Sequence, residues 1–166
     1  MIRDCGTADF AAILTVINDA AEAYRGIIPA DRWQEPYMAD ERLATEIAAG
    51  IAFRGFDDGG ALAGVMGCQP VMDVMLIRHA YVRTANRRRG IGGALLADLI
   101  NDVECPVLIG TWAAATWAIR FYEKHGFRLT TTDQKNMLLE KYWSIPARQV
   151  ETSVVLADPR WFEKLA

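Results

Sequence analysis

Cysteine and histidine are scarce in this chain of 166 residues, with three of the first and two of the second. Cys5, Cys68 and Cys105 stand far apart, with no Cys-x-x-Cys pair and no histidine cluster nearby. No metal site and no disulfide framework is therefore expected, and the thiols read as reduced, mostly buried groups of a cytoplasmic protein. Long apolar runs are missing too. Hydrophobic residues make up 52% of the chain, yet no stretch approaches the roughly 20 apolar residues of a membrane span. Met1-Ile2-Arg3-Asp4-Cys5-Gly6 lacks the basic and apolar regions of a signal peptide, so no membrane partner is expected. Positive charge is not in excess: 18 Lys and Arg against 21 Asp and Glu leave a net charge of −3. That balance argues against a general nucleic-acid binder. Repeats and low-complexity tracts are absent as well, and the apolar content excludes disorder. A single globular domain over residues 1–166 is expected.

The elements alternate. After a short strand at Ile2 to Cys5, apolar residues at Phe10, Ile13, Leu14 and Ile17 give helical spacing, with Thr7 placed to cap. A second helix starts at Asp40, carries Leu43 and Ile47 on one face and stops at Gly50. Ile51–Phe56 and Ala61–Cys68 flank Asp57-Asp58-Gly59-Gly60 and read as a hairpin. Val74–Val82 is nearly all apolar, as a central strand buried on both faces should be. A helix with Ile91, Leu95, Leu96, Leu99 and Ile100, a strand at Pro106–Gly110, and a helix ending at Gly126 follow. Phe127–Thr131 and Val150–Ala157 read as strands. Between them Asp133–Trp143 has helical spacing, and Pro146 bars further helix. The fold class is mixed α/β.

The densest chemical signal runs from Tyr81 to Leu96. A buried strand ends at Val82, Arg87, Arg88 and Arg89 follow, and Gly90, Gly92 and Gly93 open an amphipathic helix. The first turn of a helix has free N–H groups and partial positive charge. Glycines let a phosphate come close to that backbone, and arginines add charge-assisted donors. The segment is a diphosphate cradle. It is not a Walker loop, because Gly92 is followed by Gly93-Ala94 rather than Lys-Ser or Lys-Thr. It lacks the third glycine of the dinucleotide fingerprint, since Leu95 stands there.

Arg87-x-x-Gly90-x-Gly92 after a strand ending in Val82 resembles the acetyl-CoA pyrophosphate loop of GNAT superfamily N-acetyltransferases. Ala118-x-x-Phe121-Tyr122-Glu123-Lys124-x-Gly126-Phe127 is similar to the end of that family's fourth helix. The resemblance implies a mixed, mostly antiparallel central sheet of about seven strands flanked by four or five helices. It implies acetyl-CoA as co-substrate, no metal, and transfer of the acetyl group to a primary amine of a small molecule or peptide by direct attack. Backbone groups of Tyr81 and Val82 would pair with the pantetheine arm and polarise the thioester oxygen. Amides from Arg88 through Gly93, Ile91 included, with the Arg87 side chain, would hold the pyrophosphate, and Arg88 or Arg89 would reach the 3′-phosphate. Ala118 and Phe121 belong to the second motif, where Tyr122 matches the tyrosine that protonates the departing thiolate. Ala115 stands where the family often has an Asn that binds pantetheine, so one cofactor contact is missing.

An amine is cationic at neutral pH and must lose a proton before it attacks, so a base is needed. His79 on the central strand and Glu151 on the last strand are the candidates. Strand alternation groups His79 with Ile77 and Tyr81, and Arg78 with Leu76 and Ala80, and a core histidine facing the helices is the competing reading of His79. Arg78 reads as a partner for an anionic acceptor or as one half of an internal ion pair. Tyr24, Trp33 and Tyr37 read as pocket walls or as packing on the second helix. His125 reads as a helix-end residue. The segment 133–145 would line the site or join two copies in a homodimer. A non-catalytic acyl-CoA-binding module is the alternative to an enzyme. A nucleic-acid binder using the arginines is disfavoured, because the rest of the chain is acidic and no aromatics interleave with them.

Overall fold

The computed structural model describes residues 1–166. Its strands are hydrogen-bonded in the order β1-β2-β3-β4-β5-β7-β6. They are β1 (Ile2–Asp4), β2 (Ala52–Asp58), β3 (Ala61–Val71), β4 (Val74–Val82), β5 (Val107–Trp112), β6 (Arg128–Leu129) and β7 (Ser153–Ala157). The helices are α1 (Phe10–Ala21), α2 (Asp40–Ala48), α3 (Ile91–Ile100), α4 (Thr116–Lys124), α5 (Thr132–Tyr142), α6 (Ala147–Glu151) and α7 (Pro159–Glu163). None is long and apolar enough to cross a membrane. The chain forms two compact units, one of Met1–Arg25, Trp33–Gln69 and Ile77–Asp102, the other of Gly26–Arg32, Pro70–Leu76 and Val103–Ala166.

In the first unit β1 pairs antiparallel with β2, Ile2 opposite Phe56, and β2 with β3, Asp58 opposite Ala61. Gly59 and Gly60 lie at φ +71° and +92°, the two positive values that a tight hairpin turn of this hand demands. Ile13, Val16 and Ile17 of α1 pack with Met38, Leu43, Phe53, Leu62 and Val65 in one core. Thr7 does not cap α1: it opens a 3-10 turn over Thr7–Asp9, in which the Asp9 carboxylate accepts from Gly6 N at 2.8 Å and from Arg3. Gly50, at φ +103°, ends α2 as expected. Leu43 is fully buried but Ile47 is 37% exposed, so the two do not share one buried face. Glu46, at 16% side-chain exposure, points inward instead.

In the second unit β5 and β7 run antiparallel, with Leu108 opposite Ala157, and β6 pairs with the other edge of β7. Met75 N donates to Pro106 O at 2.9 Å. Leu76, Leu108, Leu138, Leu139, Val155 and Trp161 form its core. The strand expected over Phe127–Thr131 is only two residues long. The strand expected over Val150–Ala157 begins at Ser153, because Pro146 caps α6 rather than barring helix. Thr152 Oγ1 closes α6 by donating to Arg148 O at 2.9 Å. The sequence reading also passed over α7, where Asp158 accepts from Trp161 N at 3.3 Å and Pro159 fills the first helical position. Seven helices thus replace the four or five expected. The three cysteines are free thiols, each half-buried rather than buried.

Candidate active site

β4 leads into a 3-10 turn over Thr84–Asn86, then Arg87 in extended conformation, then Arg88 and Gly90 at φ +63° and +76°. The first bond inside α3 runs from Ala94 N to Gly90 O at 3.0 Å. The amides of Ile91, Gly92 and Gly93 therefore precede the helical ladder and stand as its open donors. Gly90 has open space where a Cβ would project, so its positive φ rather than crowding is what favours glycine there. Open amides at a helix N-terminus are donors of the kind a phosphate group accepts from.

The loop is anchored on both sides. Thr84 N donates to Asp19 Oδ2 at 2.6 Å, and Arg87 Nη2 to Ala20 O at the end of α1 at 3.1 Å. Arg89 pairs with Asp58 at 2.7 Å, and Asn86 Nδ2 donates to the same carboxylate at 3.4 Å. Arg87 and Arg89 thus have protein partners here. Gly64 of β3 lets α3 sit close: a Cβ there would lie 2.9 Å from Ile91 Cγ2 and 3.2 Å from Tyr81 O.

Midway along β4 the backbone departs from a strand. His79 has φ +51°, an uncommon value for a residue with a Cβ and one that costs about 1–3 kcal/mol. The ring nevertheless keeps the side that alternation gave it, beside Tyr81. Its Nε2 meets Glu46 Oε2 of α2 in a short hydrogen bond, and the ring stacks on Phe53 (6.1 Å, 24°) and Tyr81 (6.4 Å, 19°). Glu46 Oε1 also accepts from Arg42 Nε at 3.1 Å. Burial works against the Glu46 carboxylate, but His79 and Arg42 outweigh it and hold the carboxyl at about 2. Burial pushes the His79 imidazole below its ordinary value, against the upward pull of Glu46. Arg78 donates from Nη1 to the neutral Gln69 Oε1 at 3.0 Å, and burial lowers its guanidinium while Glu46 opposes that shift.

Tyr81 continues the row of rings. Tyr24 lies 6.2 Å from it edge-on, Tyr37 5.6 Å from Tyr24, and Trp33 5.6 Å from Tyr37. Burial raises the Tyr81 phenol well above its ordinary value, and the hydroxyls of Tyr37 and Tyr24 add to this. Arg25 covers the Trp33 ring at 4.5 Å and is held by Glu22 and Glu35. The structure thus brings Tyr24, Trp33, Tyr37, Arg78, His79 and Tyr81 into one neighbourhood of the first unit.

In the second unit Ala115 is buried at the N-cap of α4, without a side-chain cap, and Ala118 and Phe121 are half-buried on that helix. Tyr122 is 5% exposed between Phe121 (5.0 Å) and Phe127 (6.0 Å), both edge-on. Glu151 is not on a strand. It ends α6, is 68% exposed and lies 3.6 Å from Arg148. His125 is a helix-end residue, its Nδ1 2.8 Å from Phe121 O. Sequence reasoning missed Glu46, Gln69, Asp19 and Asp58. Glu46 looks like half of an exposed i,i+4 pair with Arg42, and no local signal ties it to a strand 33 residues away.

Comparison with known proteins bears on what this arrangement is. Residues 48–129 match the family model of an acetyltransferase (GNAT) domain. The UPF0157 protein YqkA of Bacillus subtilis (strain 168) is 30% identical over 115 residues, which are 67% of this chain and 33% of that protein. The chain thus spans about a third of the length of that curated relative. Among solved structures, PaiA N-acetyltransferase of Thermoplasma acidophilum, in complex with coenzyme A, superimposes with a TM-score of 0.71 at 17% identity. The alignment covers 95% of this chain and 97% of that one. The ribosomal-protein-S18-alanine N-acetyltransferase of Escherichia coli gives 0.68 at 19% identity, over 96% and 93%. At such identities the likeness is one of fold. Residues 48–129 thus match an acetyltransferase (GNAT) domain, and the chain has the fold of these solved acetyltransferases.

Proposed function

We propose that this protein transfers an acetyl group from acetyl-CoA to a primary amine of a small molecule or peptide. The observation that carries this reading is the open N-terminus of α3, where the amides of Ile91, Gly92 and Gly93 follow three arginines and a left-handed Gly90. Those amides, with that of Arg88, would hold the pyrophosphate, and backbone groups of Tyr81 and Val82 the pantetheine arm. Arg88 is the arginine suited to the 3′-phosphate, because Arg89 would first have to leave Asp58. Tyr122 would give its proton to the departing thiolate. The acceptor pocket would be walled by Tyr24, Trp33 and Tyr37, with Arg78 holding an anionic group of the acceptor. Arg78 suits that role because its partner Gln69 is neutral. Acetyl-CoA supplies the activated acyl group, and three reduced thiols fit work in the cytoplasm.

Calorimetric titration with acetyl-CoA, its form lacking the 3′-phosphate, and ATP tests the cradle. The expected result is tight binding of the first, weaker binding of the second and none of the third. Failure of acetyl-CoA to bind at millimolar concentration would sink the proposal. Ala115 favours a second reading, a module that binds acyl-CoA without turnover, since a pantetheine contact is missing there. Tyr122→Phe separates the two. An enzyme keeps acetyl-CoA affinity and loses about 10²–10⁴-fold in thiol release, whereas a binding module shows no turnover to lose.

A further inference from the structure

The imidazole on β4 is packed against two aromatic rings and held at one edge, and the carboxylate at that edge comes from α2. Phe53 and Tyr81 both stack with the ring, and Glu46 Oε2 engages Nε2. The second carboxylate oxygen of Glu46 is tied to Arg42. A carboxylate can only accept, so Nε2 carries the proton and, in the neutral ring, Nδ1 holds the lone pair. A histidine oriented by a carboxylate through one nitrogen and basic at the other is the arrangement of a general base. His79 is kept in this pose at a backbone angle that few residues with a Cβ adopt.

We propose that Glu46 is a positioning residue for acetyl transfer, holding His79 as the Nε2–H tautomer so that Nδ1 takes a proton from the acceptor's ammonium group. This inference rests on the acetyltransferase reading given above. The ammonium gives one proton to Nδ1, and the freed lone pair forms the N–C bond to the thioester carbon. The C–S bond breaks, and its electron pair leaves with the sulfur. The nitrogen's second proton goes to water, Tyr122 gives its proton to sulfur and regains one from water, and His79 returns its own to water. Net, an ammonium and an acetyl thioester become an amide, a thiol and one proton.

The groups facing the ring are Glu46 and Arg42 of α2 and Arg78 and Tyr81 of β4, with the hydroxyls of Tyr24 and Tyr37 beyond Tyr81. Both arginines and the burial disfavour the imidazolium, and Glu46 favours it. Glu46 is thus the group that lets His79 hold a proton during turnover.

Nitrogen NMR of the histidine side chains in the intact protein, with His125 as internal control, reads the tautomer without any activity. The expected spectrum has His79 protonated at Nε2 and titrating at Nδ1, with the midpoint lower in Glu46→Gln. In kinetics, Glu46→Gln should bind acetyl-CoA as the wild type does but lose about tenfold or more in kcat/KM for the amine. The rising limb of its pH profile should move to lower pH. His79→Gln keeps an N–H for Glu46 but has no base, so it should lose about 10²–10⁴-fold together with that limb. An Nδ1–H tautomer in the wild type overturns the proposal. So does a Glu46→Gln variant that melts earlier yet keeps its kcat/KM and pH limb, or a His79→Gln variant with full activity. Failure of the acetyltransferase reading has its own signature, namely no thiol release by the wild type with any amine; it removes the base role whatever tautomer the spectrum shows.

Discussion

Gly64 shows how one missing side chain shapes the cradle. Its hydrogen stands where a methyl group would meet Ile91 Cγ2 at 2.9 Å, Tyr81 O at 3.2 Å and Val82 Cγ2 at 3.3 Å. Ile91 opens α3 and is 3% exposed, so it cannot turn away without leaving the core. Gly64→Ala should therefore destabilise the fold by about 1–3 kcal/mol, measured by urea unfolding, through overpacking. It should also weaken acetyl-CoA binding, because the amides that lead α3 would shift with Ile91. A variant of unchanged stability and affinity would show that strand and helix can separate freely. Nothing in the run Leu62-Ala63-Gly64-Val65 signals this contact, because its partners lie in a strand and a helix later in the chain.

Elements impose their own conditions, and α2 is the clearest case. Its apolar pattern promised a face of Leu43 and Ile47, but the residue that turns toward β4 is Glu46. Its carboxyl is depressed from 4.5 to about 2 in the fold. A lowered folded value stabilises above the ordinary carboxylate range and is lost as the proton goes on, so this contribution is complete above about pH 4.5 and falls away toward pH 2. Urea midpoints measured down this range should fall more steeply for the wild type than for Glu46→Gln. Parallel curves would mean that the contact between α2 and β4 adds nothing to stability. The same comparison of pattern with structure explains the C-terminal errors. Val150 to Ala157 reads as a strand, but Pro146 starts a helix that runs to Glu151 before pairing with β5 begins at Ser153.

At the scale of the whole molecule, charge is distributed against the average. The chain carries −3 overall, yet Arg87, Arg88 and Arg89 crowd the approach to α3. Attraction between that loop and a phosphate-bearing ligand is exposed to solvent and screened by salt, with a Debye length of about 10 Å at 0.1 M. Acetyl-CoA affinity should fall several-fold between low and high ionic strength, read by calorimetry, and Arg88→Gln should flatten the dependence. Salt-independent binding would remove the arginines from the recognition. Asp58 tempers the field, since it already occupies Arg89.

Local rules in the sequence determined the hairpin at Gly59-Gly60, the stop at Gly50, the strand Val74–Val82 and the glycine-led helix at Ile91. Each follows from backbone freedom, periodicity or capping within a few residues. The strand, loop and helix order over residues 81–93 was legible for the same reason, because the strand end, arginines and glycines are consecutive. Tertiary structure alone decided how the row from Trp33 to His79 is assembled, that His79 leaves the strand conformation, and that its partner is a carboxylate from α2. Those facts depend on contacts between residues tens of positions apart. β4 is irregular in backbone at the residue proposed as the base, yet the ring still stacks on Tyr81 and meets a helix, as alternation and the core reading of His79 expected.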